Sequence, residues 1–169
     1  MPETTPADTV RIEARAPAGM PATDRLRLTF EQRTRSRSTA RLECGIEAAI
    51  VLPRGTVMRG GERLLASDGR IVEVVAAAEP LLEVATTDAT LLARASYHLG
   101  NRHVAVEIGP ARLRLVYDPV LERLLAGLGL APMRTSAPFE PEGGAYGHTH
   151  AHGAGGHELA PVIHEYRPE

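Results

Sequence analysis

The side chains best suited to chemistry in this sequence are its seven histidines. Five crowd the C-terminal end: His148, His150, His152, His157 and His164. Imidazole binds nickel, zinc and copper well and calcium or magnesium poorly. The run His148-x-His150-x-His152 sets three imidazoles two residues apart in a glycine-rich stretch. Such a chain wraps a metal by chelation and enforces no single geometry. That suits a carrier, which must bind and release. It suits an enzyme poorly, because catalytic metals need rigid ligands held by further hydrogen bonds. A merely solvating polar tail is the bland alternative, and alternating histidines favour metal binding over it. His98 and His103 stand apart from this cluster. His98 lies seven residues after Leu91 and three after Ala95, so it edges a helical apolar stripe and reads as packing or capping. His103 follows a helix stop beside Arg102 and by pattern alone reads as a surface residue.

Other chemistry is sparse. No G-x-S-x-G, H-E-x-x-H or phosphate-binding loop occurs. All 19 basic residues are arginine, which removes lysine nucleophiles, Schiff bases and phosphate-loop lysines. Cys44 sits in an apparent strand and reads as a small core residue. Arg33, Arg35, Arg37 and Arg41 form a basic run. It would draw a phosphate or an acidic partner, or it is a solvated loop or an edge strand protected against aggregation. The net charge of −2 speaks against bulk nucleic-acid binding. One cysteine allows no internal disulfide, the N-terminus lacks a secretory pattern, and no apolar run is long enough to span a bilayer. A cytoplasmic protein is the expectation.

The elements that must position these residues divide the 169-residue chain into four parts. Residues 1–23 are rich in Pro, Ala and Thr and read as a mostly disordered extension, with Val10-Arg11-Ile12 a weak strand candidate within it. Residues 24–79 show period-two segments cut by Gly45, Pro53-Arg54-Gly55, Gly60-Gly61 and Asp68-Gly69. Leu26, Leu28 and Phe30 begin the series, and Ile71 to Val75 ends it. This predicts a small all-β barrel or sandwich. Residues 80–136 change style. A strand over Leu81–Val84 leads to a helix capped at Thr87-Asp88, with Leu91, Leu92, Ala95 and Leu99 as its stripe and Gly100 as its stop. Val104-Val106-Ile108 and Leu113-Leu115 alternate as strands. Asp118-Pro119 opens a second helix with Leu121, Leu124, Leu125 and Leu128, and Leu130–Arg134 reads as a last strand. The order β-α-β-β-α-β is the ferredoxin-like arrangement, so the fold class is α+β. Residues 137–169 form a flexible His-rich tail. Units of about 60 residues are marginal alone, which favours a homodimer.

Four spaced segments resemble one known family. Tyr97-His98-Leu99-Gly100-Asn101-Arg102-His103-Val104 resembles the hallmark of UreE-type urease accessory proteins. Phe139-Glu140-Pro141-Glu142-Gly143-Gly144-Ala145-Tyr146, followed by histidines, is similar to that family's C-terminal signature. Leu52-Pro53-Arg54-Gly55-Thr56 and Gln32-Arg33-x-x-Ser36-Arg37 are similar to its N-terminal domain. The resemblance covers about residues 25–152. It implies a nickel metallochaperone and no enzyme. It also implies a β-rich N-terminal domain for partner or peptide binding and a ferredoxin-like domain that dimerises. Ni2+ would be carried toward apo-urease, in company with the GTPase UreG and the urease accessory complex. By the same resemblance His103 is the central ligand, set beside its two-fold mate. His148, His150 and His152 join it, with His98 and His157 as further candidates.

Three other functions compete. A zinc, copper or nickel store would use the same tail, since imidazole alone does not choose nickel. A metal-dependent hydrolase would need a rigid site with a carboxylate base, and none is visible. An RNA-binding module on a ferredoxin-like sheet would need stacking aromatics, and Val104–Ile108 and Arg112–Val116 offer none.

Overall fold

A computed structural model describes residues 9–143. The first unit is a six-stranded sheet. Its strands are β1 (Val10–Arg15), β2 (Asp24–Leu28), β3 (Arg37–Arg41), β4 (Glu47–Val51), β5 (Arg63–Ala66) and β6 (Ile71–Ala76), in the order β2-β6-β5-β1-β4-β3. Leu26, Leu28, Ala48, Ile50, Leu64, Val72 and Val74 alternate inward and meet Met58 in one aliphatic core. The sheet curls so that its two edges approach each other. Just past β3, the Glu43 amide donates to the Arg25 carbonyl of β2 at 2.9 Å, and the Arg27 guanidinium pairs with Glu43 at 2.9 Å.

Three expectations change here. The extension over residues 1–23 is interrupted by β1, which runs through the middle of the sheet, parallel to β4 and antiparallel to β5. Val10 and Ile12 face the core and Arg11 and Glu13 face solvent. Two apolar residues satisfy a two-sided pairing partner as well as four would, so a short alternation was enough. Residues 1–8 lie outside the described residues. Phe30 does not extend β2. It opens a single-turn helix, α1 (Phe30–Arg33), because Thr29 and Gln32 form a reciprocal capping box. Cys44 is exposed in the turn between β3 and β4 and takes no part in the core.

The second unit runs β7 (Ala78–Ala85), α2 (Ala89–Gly100), β8 (Glu107–Gly109), β9 (Arg112–Val116), α3 (Pro119–Gly127) and β10 (Met133–Pro138). Its sheet has the order β10-β7-β9-β8 with every neighbour antiparallel. The caps are those the sequence predicts. The Asp88 carboxylate accepts from the Thr90 and Leu91 amides at 2.9 and 3.0 Å, and Asp118 accepts from Val120 and Leu121 with Pro119 at the first helical position. Both helices lay their leucine stripes on Leu82, Val84, Leu113 and Leu115. Two strands are displaced from their predicted places. Of the Val104–Ile108 segment only Glu107 and Ile108 are strand, within β8, because Val104 and Val106 turn toward the helix-side core. The last strand begins at Met133, because Leu130 is spent plugging the end of the core after the left-handed Gly129.

The seam between β2 and β3 holds a titratable group. The Asp24 side chain is 8% exposed and lies 3.7 Å from the Arg70 guanidinium. Burial raises its pKa, but the Cys44 thiol, the Arg25 and Cys44 amides and the Arg70 charge together outweigh burial and hold it below the usual carboxylate value. A lowered folded-state pKa stabilises the fold above the unfolded value of about 3.9 and loses that stabilisation as pH falls through the folded one. Asp24→Asn is therefore expected to cost about 1 kcal/mol at neutral pH. The deficit should close as pH drops below about 3.9. Urea titrations of both proteins from neutral pH into that acid range measure the difference.

Candidate functional site

Helix α2 leads to the site. Its cap at Asp88 fixes the first turn, and the buried Ala95 and Leu99 fix its rotation on the sheet. The last turn then carries Tyr97, exposed at 66%, and His98, half-buried beside it. The two rings meet edge to face with centroids 5.5 Å apart. The Arg102 guanidinium donates to the His98 carbonyl at 3.0 Å and closes the helix end. His98 thus edges the buried stripe, as its spacing predicts.

The helix stop differs from the prediction. Gly100 belongs to the helix and Asn101 is its right-handed C-cap. The residue that turns the chain is His103, with φ of 55°. Its amide donates to the Gly100 carbonyl at 2.9 Å, and the Val104 amide donates to Leu99 at 3.2 Å. A histidine in the left-handed region is uncommon, and histidine is among the residues that tolerate it best. The conformation holds because Leu99 on one side and Val104 on the other are packed into the core. The outcome is an exposed imidazole on a tightly bonded turn.

Among the described residues no three His, Cys, Asp or Glu side chains gather as a metal cage. His103 is thus not a member of a preformed set among the described residues. The tail histidines His148, His150, His152, His157 and His164 lie outside the described residues, so their grouping with His103 is not part of this geometry.

The basic run separates into different roles. Arg35 pairs with Glu31, and Arg41 with Glu47 at 3.5 Å, both exposed. Arg37 and Arg41 lie on β3, the last strand of its sheet, where charge guards an edge. Arg33 is fully buried. Its guanidinium donates to the Met58 carbonyl at 3.2 Å, to the Phe139 carbonyl, and to the Glu140 carboxylate at 2.8 Å. Glu140 also accepts from Arg59 at 3.3 Å and from the Gly60 amide at 2.7 Å. The Phe30 and Phe139 rings cross edge to face at 5.5 Å, and the Phe30 amide donates to Glu79 at 2.8 Å. The segment after β10 thus returns to the first unit and fastens the two units together. Sequence reading left Arg33 open between drawing a phosphate or acidic partner and lying in a solvated loop or edge strand, and did not foresee its burial. The signal available was that Gln32-Arg33 and Phe139-Glu140-Pro141 both lie in segments that resemble one family, far apart in the chain.

Comparison with known proteins covers both units. A family model described as the N-terminal domain of UreE urease accessory protein matches residues 5–77, and one for its C-terminal domain matches residues 79–167. A urease accessory protein UreE of Burkholderia pseudomallei (strain 1710b) is 51% identical over 147 residues, covering 87% of this chain and 71% of that protein. One from Cupriavidus pinatubonensis is 56% identical over 129 residues, 76% of this chain and 58% of its own length. One from Burkholderia mallei (strain SAVP1) is 50% identical over 147 residues, 87% and 71% of the two chains. With both family models matched in order and half of the residues shared with these relatives, this chain belongs to the UreE family of urease accessory proteins, which assist an enzyme and are not enzymes themselves.

Proposed function

We propose that this chain is a nickel carrier that takes up Ni2+ and delivers it for assembly of the urease active site. The observation that supports this most is the exposed His103, held in a left-handed turn between two packed residues of a urease accessory chain. The imidazole offers one oriented ligand. His148, His150 and His152 add ligands on a tether, and His98 and His157 are the further candidates. Few ligands in a loose set favour transfer over storage. Zinc and copper suit the same imidazoles, copper more tightly. Membership of a urease accessory family is what favours nickel as the cargo.

The order β-α-β-β-α-β and the strand order β10-β7-β9-β8 support a ferredoxin-like reading of residues 80–136. The β-rich part over residues 24–79, extended by β1, serves as the partner-binding domain. The second unit mediates a homodimer, because Tyr97, Ile108 and Val120 leave large apolar side chains exposed on it. A two-fold axis there lets one histidine per chain supply two ligands. The GTPase UreG and the apo-urease accessory complex receive the metal in the cytoplasm. No helix among the described residues is long and apolar enough to cross a membrane.

Three outcomes follow. His103→Ala should abolish the tightest nickel site and leave the fold intact, measured by calorimetric titration. His103→Gly should do the same with stability higher by about 1 kcal/mol than the alanine variant, because glycine adopts a φ of 55° without strain. Unchanged tight binding in both would refute the assignment. Replacing His148, His150 and His152 with alanine should lower nickel capacity. In the native chain that tail-dependent binding should fade as pH falls through roughly 6, because protons compete for free imidazoles of pKa about 6.5. Equal stoichiometry at neutral pH would leave the tail without a role. Sedimentation at micromolar concentration should give the dimer mass.

A further inference from the structure

The turn that carries His103 is closed by its neighbour in the chain. Every carbonyl in the last turn of α2 has a donor. The Asn101 amide bonds the Tyr97 carbonyl at 3.0 Å. The Arg102 and Val104 amides bond the Leu99 carbonyl at 3.0 and 3.2 Å, and the His103 amide bonds that of Gly100 at 2.9 Å. The His98 carbonyl remains, and there the Arg102 guanidinium donates at 3.0 Å. This bond does more than satisfy an acceptor, because it holds a permanent positive charge at the helix end that presents the imidazole. A helix C-terminus carries about half a negative charge, which would favour a cation. A whole guanidinium charge in the same place more than cancels it. The rest of the segment adds no counter-charge. No Asp or Glu occurs between Asp88 and Glu107, and Arg94 puts a second exposed guanidinium on α2. Glu107 is already bonded by Arg114 at 3.4 Å and by the Glu140 amide at 2.9 Å. Glu142 is exposed and meets this segment through its amide bond to the Val106 carbonyl, three residues past His103. Arg102 is the charged side chain next to His103 in the chain, and its position is fixed.

We infer that Arg102 sets how tightly His103 holds its cargo: the guanidinium pinned to the His98 carbonyl opposes the charge of the metal and keeps the site weak enough to give it up. The inference rests on the nickel-carrier reading above. From the last-turn carbonyl to a metal on the imidazole is about 8 Å, one helical turn plus the reach of the ring. A unit charge and a double charge that far apart in water oppose each other enough to weaken binding about fivefold. Salt screens the effect, and at about 1 M ionic strength, where the Debye length is about 3 Å, little of it is left. Imidazole then chooses the metal by donor type, and the neighbouring charge sets the strength of the hold. Arginine suits this task better than a titrating group, because its charge does not change with pH.

Two substitutions in the full chain separate charge from capping. Arg102→Gln removes the charge and keeps an amide donor for the His98 carbonyl. Arg102→Lys keeps the charge and loses the fork. Nickel affinity is measured for each chain against its His103→Ala counterpart, so that the His103-dependent part is read alone. The titrations run from low salt to about 1 M sodium perchlorate, an anion that does not compete for nickel. Amide hydrogen exchange at His103 and Val104 reports whether the turn has kept its two bonds. The expected result is native exchange in both variants and His103-dependent binding tightened about three- to tenfold by Arg102→Gln at low salt. That gain should vanish at high salt, and Arg102→Lys should match the native chain throughout. A residue that only caps the helix would give Arg102→Gln an unchanged or weaker site with no dependence on salt, and that result overturns the inference. Where exchange shows that glutamine loosens the turn, the decision passes to the native and Arg102→Lys chains. Their His103-dependent affinity should rise with salt, and affinity that is flat or falls overturns the inference. None of these results touches the nickel reading, which fails only if the native chain and His103→Ala bind nickel alike.

Discussion

The buried guanidinium of Arg33 is the constraint around which the two units are arranged. An ion removed from water loses several kcal/mol of hydration unless its donors find acceptors. Here they come from three places in the chain: the Met58 carbonyl, the Phe139 carbonyl and the Glu140 carboxylate. Two of the three belong to a segment more than 100 residues away. The Nε atom alone finds none. Moving the units apart would strand a charge, so their docking is specified far more sharply than contact between Phe30 and Phe139 would specify it. Such an arrangement is strongly penalised when broken and adds little net stability when made, which is the signature of a device for geometry.

That geometry has local prerequisites. Arg33 is the last residue of a single turn that would not persist alone in water. The Thr29–Gln32 capping box and the Phe30 amide bond to Glu79 hold it. On the other side, Glu107 is already engaged by Arg114 when it accepts the Glu140 amide. Arg114 in turn donates to Glu83 at 2.5 Å, so Glu107, Arg114 and Glu83 form a row across three neighbouring strands. The Glu83 hydrogen bond raises the pKa of Arg114 further, which keeps its guanidinium charged. The segment after β10 is thus anchored through Glu107 to the second sheet.

How much of this was legible depended on whether the cause was local. Asp88 and Asp118 act on amides two and three residues away, so both helix starts were readable. The leucine stripes of α2 and α3 were readable for the same reason. Strand β1 was obscure because its pairing partners lie more than 30 residues off and its alternation is short. Gly100 looked like the stop because glycine normally supplies the left-handed residue, yet packing of Leu99 and Val104 moved that duty to His103. Arg33 was the hardest. An arginine in a basic run is usually solvated, and nothing within 20 residues of it predicts burial. The tail histidines were legible by type and spacing alone, and they lie outside the described residues.

The choice of arginine at this position has a chemical reason. A lysine ammonium is a compact, strongly hydrated point charge, whereas guanidinium is a planar fork, more weakly hydrated, with donors spread over two terminal nitrogens. At Arg33 one terminal nitrogen serves the Met58 carbonyl and Glu140, and the other serves the Phe139 carbonyl. These acceptors lie on two sides of the junction, which one ammonium on a flexible stem would not bridge with the same orientation. The same economy recurs at Arg59, where one nitrogen bonds both Glu140 and the Pro141 carbonyl. Two forks therefore grip one short segment from one side while the backbone of that segment bonds the sheet on the other. The segment can then hold its place without a large apolar core of its own, and only Phe139 and Pro141 of its residues are buried.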